Sequence, residues 1–151
     1  MSDAITQQLE AALSRIAYAQ TLGVTCQKIG SEVLFVLPFT PNNIGNPMLP
    51  ALHGGAIGGF LELTAICQLM IDRTERLGGP RIQDNKADDI PKPIGINIDY
   101  LRPGRPVDTY ARAIVFRAGK RVSNVRVEAW QAERDKPIAA LHGHFLNSAN
   151  G

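Results

Sequence analysis

One carboxylate stands out in this chain of 151 residues. Glu62 lies near the centre of the run from His53 to Ile71, which is apolar almost all round, as a helix buried on most sides would be. A buried ionised carboxylate is costly unless it is paired, hydrogen-bonded or protonated, so Glu62 needs a partner or a chemical role. The plain solution is a half-buried Glu62 that meets an arginine from a strand.

The spacing around Glu62 favours chemistry. At about 100° per residue, Gly55, Gly58, Gly59, Glu62 and Ile66 fall on or near one stripe of the helix. Each glycine costs roughly 1 kcal/mol relative to alanine, so something is expected to come close there: backbone, a second chain, a ligand, or simply a tightly packed sheet. The helix start presents N–H groups at Gly54, Gly55 and Ala56 with the positive end of the helix dipole behind them, which suits an oxyanion. Glu62 is roughly 12 Å along the axis from Gly54, too far for one small carbonyl to touch both. If the two cooperate they come from different chains, with antiparallel central helices related by a dimer axis.

Other constellations are weaker. His142 and His144 share a strand face and could be joined with His53, but no carboxylate or cysteine accompanies them at a useful spacing, so no metal is expected. Ser14 and Ser123 lack a nucleophile-elbow pattern. Gly54-Gly55 with Gly58-Gly59 is not a phosphate-binding glycine loop after a strand, and no P-loop lysine follows. No cofactor is therefore expected.

The elements that must position these residues read as an α+β chain. Asp3 to Gln20 carries a helical stripe, which Gly23 ends. Val24 to Phe39 suggests two short strands around Gly30-Ser31, and Thr40 to Leu52, rich in Pro and Asn, reads as a loop. After the central helix, Gly78 to Pro93 reads as a solvated connection. Ile94 to Leu101 alternates as a strand, Thr109 to Arg117 and Arg121 to Gln131 form a hairpin about Ala118-Gly119-Lys120, and Pro137 to Asn147 supplies a last strand. Helices and strands in separate runs imply an antiparallel sheet with one face on the long helix.

With 44% apolar and 20% charged residues, residues 1–151 suit one domain. A dispersed net charge of +2 argues against nucleic acid as partner. Two cysteines, Cys26 and Cys67, suit core thiols in a reducing cytoplasm. The amphipathic N-terminus is not a signal-peptide pattern, and no uninterrupted apolar run approaches the roughly 20 residues of a membrane span.

Leu52-His53-Gly54-Gly55 with Glu62, a strand ending Asp99-Tyr100-Leu101-Arg102-Pro103, and the hairpin Arg117-Ala118-Gly119-Lys120-Arg121 together resemble the hotdog-fold acyl-CoA thioesterases. The PaaI-like and 4-hydroxybenzoyl-CoA thioesterase group is the most similar. The resemblance covers residues 40–147 and leaves residues 1–23 as an extra N-terminal helix. It implies a long central helix wrapped by an antiparallel sheet, and homodimers with shared active sites that often form tetramers. It implies hydrolysis of an acyl- or aryl-CoA thioester, in which the Gly54 N–H, helped by Gly55, polarises the carbonyl, His53 shapes that end of the site, and Glu62 of the facing subunit activates water or attacks directly. Arg117, Gly119, Lys120 and Arg121 would hold the CoA nucleotide, with Tyr100 and Arg102 as further groove residues. Two departures bear on water positioning. Where the family often has Asn or Gln six residues before the histidine, this chain has Pro47, and Asn46 serves only if the loop takes an extra residue. Ile66 and Pro93 stand where some relatives carry Thr or Ser. The loop from Gly79 to Pro93 is also longer than the pattern. Two rival readings share the fold: a non-catalytic module that binds an acyl-CoA or small hydrophobic ligand, and a dehydratase acting on hydroxyacyl thioesters. Glu62 favours the thioesterase over the first, and the second needs a His-acid pair in a different motif.

Overall fold

A computed structural model describes residues 4–77, 82 and 89–147. The N-terminal stripe, expected as one helix, forms two: α1 (Ala4–Ser14) and α2 (Ala17–Leu22). Ile16 between them is extended, with φ −100° and ψ 108°. The break re-aims the apolar stripe, because α1 buries Leu9 and Leu13 while α2 buries Ala19 and Leu22, positions that one continuous helix would not put on a common face. Gly23 ends α2 in the left-handed region, φ 72°, with its N–H on the Ala19 carbonyl at 2.9 Å, so the expected stop is where the sequence places it.

Next come β1 (Thr25–Ile29) and β2 (Glu32–Leu37), joined through Gly30. The segment expected as a plain loop, 40–52, holds a 3-10 turn at Pro41–Asn43 and a small two-stranded sheet of β3 (Ile44–Asn46) and β4 (Ala51–Leu52). The central helix α3 runs from Gly54 to Leu77, beyond the expected Ile71. Its last turns are polar and so fall outside the apolar run, and an Asp72–Arg76 ion pair of 3.1 Å at i,i+4 supports them. Then follow β5 (Lys92–Tyr100), β6 (Thr109–Ala118), β7 (Val122–Trp130) and β8 (Ala139–Leu146). Most of the expected connection from Gly78 to Pro93, including the apparent extension, lies outside the described residues.

The larger sheet has the order β1-β2-β6-β7-β8-β5, and every pairing is antiparallel. α3 lies across it. Phe60, Leu61, Ala65 and Cys67 of α3 are fully buried, as are Ala111, Val127, Leu141 and Phe145 of the sheet. The N-terminal helices complete the core with Leu9, Leu13 and Leu22. An 18-residue window of α3 has a mean hydropathy of 1.5, apolar enough to match a membrane span by composition, and 72% of that window is buried in the protein core. Both cysteines are free and buried, and desolvation pushes the Cys26 thiol up to about 11 and the Cys67 thiol higher still.

β5 differs from the other long strands. It stands at the end of the sheet with one edge unpaired among the described residues, and most of it is exposed; Ile94 and Tyr100 are over half exposed, while Ile96 and Ile98 pack against the core.

Candidate active site

The start of α3 is clamped by side chains from outside the helix. A helix whose positions 54, 55, 58 and 59 are all glycine has a weak first turn and a half. The Gly55 N–H donates to Nδ1 of His53 at 2.8 Å, so this imidazole nitrogen is an acceptor and the ring's proton belongs on Nε2. The Tyr100 hydroxyl donates to the Gly54 carbonyl at 2.8 Å, which ties the end of β5 to the helix start. Tyr100→Phe keeps the ring and removes this one bond; melting should show a loss of about 1 kcal/mol. No change in stability would mean that the hydroxyl holds nothing.

These contacts sort the expected oxyanion donors. The Gly55 N–H is taken by His53 Nδ1, and the Ala56 N–H by the His53 carbonyl at 3.1 Å. Expected as open donors, both are used inside the chain, because a histidine just before the helix caps it with both ring and backbone. The Gly54 N–H alone of the three has no acceptor among the described residues. His53 itself is exposed, and its N–H donates to the Asn43 carbonyl at 2.7 Å.

Two asparagines border this end. Asn46, the expected partner of the reacting carbonyl or water, is exposed and accepts the Met48 N–H on Oδ1 at 3.0 Å, so it closes its own turn. Asn43 was not singled out in the sequence. Its Nδ2 is buried without a hydrogen-bond partner among the described residues, and an unmet buried donor costs about 1–3 kcal/mol unless water or a ligand supplies an acceptor. The only sequence signal was the density of asparagine in 40–52.

Glu62 is half-buried on α3, and desolvation pushes its carboxyl above the ordinary glutamate range. It has no ion pair or hydrogen bond among the described residues. The arginine that the plain reading required is absent from it: Arg112 and Arg134 hold Glu32, and Arg126 pairs with Glu128. Glu62 lines a cavity of about 310 Å³ together with Ile16, Tyr18, Gly59, Leu63, Ile66, Ile90 and Lys92.

The glycine stripe is occupied by this chain's own side chains. A Cβ on Gly58 would lie 3.0 Å from Cδ1 of Ile98, and one on Gly59 would lie 2.5 Å from Cε1 of Tyr18. Close packing thus accounts for both, on β5 in one case and on α2 in the other.

Arg117, Lys120 and Arg121 are exposed at the β6–β7 hairpin, and none forms an ion pair among the described residues. The turn is stiff. Asn147 Nδ2 donates to the Gly119 carbonyl at 2.7 Å, the Asn147 N–H donates to the Arg121 carbonyl at 2.7 Å, and Ser123 Oγ donates to Asn147 Oδ1 at 2.8 Å. A Cβ on Gly119 would run into the Val122 carbonyl. Tyr100 and Arg102, expected in the same groove, lie at the far end of β5: Lys92 pairs with Leu146 beside the hairpin, and Tyr100 with Ala139. Within one chain that is roughly 26 Å away. Arg102 donates there to the Pro137 carbonyl at 2.6 Å. His142 and His144 are exposed on β8, and no group of metal-ligating side chains gathers among the described residues.

The chain that folds a long helix onto an antiparallel sheet matches known proteins. A family model described as the thioesterase superfamily matches residues 49–138. The chain belongs to the thioesterase superfamily. A crystal structure of a protein from Chromobacterium violaceum is similar at 33% identity and a TM-score of 0.68, covering 96% of this chain and 93% of that one. The structure of the Escherichia coli PaaI protein from the phenylacetic acid degradation operon aligns at 17% identity with a TM-score of 0.70, over 95% of this chain and 96% of that one, a likeness of fold. Among curated proteins, the medium/long-chain acyl-CoA thioesterase YigI of Escherichia coli K12 is 31% identical over 97 residues, 62% of this chain and 61% of that relative's length. As a superfamily member the chain has the hotdog arrangement: α3 against a six-stranded antiparallel sheet, with the short N-terminal helices added.

Proposed function

We propose that this superfamily member hydrolyses an acyl-CoA thioester to the free acid and CoA, with Glu62 as general base or nucleophile and the Gly54 N–H as the oxyanion donor. The observation that carries the reading is Glu62: a half-buried carboxylate with no partner among the described residues, held by burial above its ordinary pKa. The likeness to a medium/long-chain acyl-CoA thioesterase supports fatty acyl rather than aryl substrates.

The site is completed by a second copy of the chain. Glu62 and Gly54 share one helix roughly 12 Å apart, so one carbonyl reaches both only across a subunit boundary. The unpaired edge of β5 supplies the boundary. If β5 of each copy pairs antiparallel about Ile96, Lys92 of one faces Tyr100 of the other. Lys92 lines the Glu62 cavity and Tyr100 holds Gly54, so this register brings the two halves of the site together. It also carries Tyr100 and Arg102 of one subunit toward the hairpin of the other, where they share one groove. Pairs of such dimers would form a tetramer. The outcome follows from the chain's own residues, and neither metal nor cofactor enters it. Free buried thiols favour the cytoplasm as the compartment.

Thiol release from a panel running from acetyl-CoA through palmitoyl-CoA, with phenylacetyl-CoA and benzoyl-CoA beside them, tests the reading. Release from fatty acyl esters is expected. Saturable binding without release from any ester would replace the enzyme with a ligand-binding module, and hydration of an enoyl-CoA without release would replace it with a dehydratase.

The hairpin cations give a separate expectation. Replacing Lys120 and Arg121 by Ala should raise KM for acyl-CoA on the order of tenfold and leave KM for the matching acyl-N-acetylcysteamine thioester unchanged, since only CoA carries the phosphates. Equal changes for both substrates would remove these residues from the nucleotide site.

A further inference from the structure

The N-terminal helices lie outside the segment that matches the family, residues 49–138, yet they form one wall of the cavity at Glu62. Ile16, extended between α1 and α2, and Tyr18, in the first turn of α2, both line it. Facing them are Leu63 and Ile66 of α3 and Ile90 before β5, so most of the lining is apolar. We propose that this cavity receives the acyl chain and that Tyr18 sets the length it accepts.

The inference rests on Glu62 acting at the thioester carbonyl, because that places the first acyl carbons beside the carboxylate. An apolar lining next to this point suits hydrocarbon and disfavours the amide-rich, phosphorylated arm of CoA, whose buried polar groups would go unmet. Tyr18 is suited to be a wall that limits length. Its ring lies on Gly59, where a Cβ would stand 2.5 Å from Cε1, so the ring reaches the helix backbone only because residue 59 has no side chain. Tyr18 both lines the cavity and is 48% exposed, so it is not part of the buried core. Truncating it opens the wall outward and leaves the buried core intact. The helix break at Arg15–Ile16 therefore has a use: it aims Ile16 and Tyr18 at the cavity.

The test is kcat/KM for thiol release across straight-chain acyl-CoA esters, for wild type, Tyr18→Ala, Tyr18→Phe and Tyr18→Trp. Tyr18→Ala should shift the optimum by at least two carbons toward longer chains and change the long-to-short ratio by about tenfold, from the added burial of those methylenes. Tyr18→Phe should keep the wild-type profile and Tyr18→Trp should shorten it. A parallel fall at every chain length in Tyr18→Ala, with wild-type ratios, would overturn the proposal even if Glu62-dependent release is intact. If the wild type releases no thiol, the hydrolase reading fails by itself. Calorimetric titration with the free fatty acids then decides the cavity: a shift to longer acids in Tyr18→Ala supports it, and an unchanged length preference overturns it.

Discussion

Glu62→Gln releases thiol roughly 10² to 10⁴ times more slowly than wild type and melts no lower. Glutamine has the shape of glutamate, so the cavity keeps its form, but the amide neither accepts a proton from water nor attacks a thioester. The stability half of the expectation follows from the direction of the Glu62 shift. Burial raises its folded pKa above the unfolded value, so the folded state binds the proton more tightly, and stability falls as pH rises through the interval between the two values. At neutral pH the ionised side chain is a burden to the fold, and the neutral amide relieves it. Lost turnover with equal or higher melting temperature marks a residue kept for chemistry. The acid limb of kcat/KM in the wild type should accordingly lie above the ordinary glutamate range, because activity needs the ionised form. Thiol release that is unchanged in Glu62→Gln would end the assignment.

Gly54→Pro loses roughly 10² to 10³ in kcat relative to Gly54→Ala. Proline is well tolerated at the first helical position, where its fixed φ suits the helix and its missing N–H has no partner inside the helix. No acceptor among the described residues uses the Gly54 N–H, so removing it costs the fold no hydrogen bond. Both variants add a Cβ that would stand 3.3 Å from the Tyr100 ring, and alanine therefore controls for that crowding. The difference between them isolates the donor. Circular dichroism and melting of both proteins verify that α3 starts intact, and equal kcat for Pro and Ala would place the oxyanion elsewhere.

Much of the fold was legible because it rests on periodicity. The apolar run after His53 gave α3, the alternation from Ile94 gave β5, and Gly119 between two apolar runs gave the hairpin. What escaped depends on contacts distant in sequence. The break at Ile16 is set by what α1 and α2 each bury, and a stripe read alone cannot show that two shorter helices bury it better. Glu62 and the Gly54 N–H stood out by residue type and spacing, and the hairpin cations through the family resemblance, while the distance between the hairpin and the helix start was not legible. Nor were the clamps: Tyr100 reaches Gly54 across 46 positions, and Asn147 reaches Gly119 across 28. Gly58 and Gly59 were legible as points of close approach, while the approaching groups, Ile98 and Tyr18, come from β5 and α2. The capture of the Gly55 N–H by His53 is local, and it went unread because histidine is not among the usual capping residues.

The free edge of β5 also bears on the life of a newly made chain. Among the described residues its outer row of backbone donors and acceptors stands open, the kind of surface on which extended segments of other proteins stick. The strand opens with Lys92 and Pro93 and carries Asp99 near its other end. A charge at each end and a proline without an N–H make it a poor template for arbitrary strands, which protects the chain from clumping through this edge.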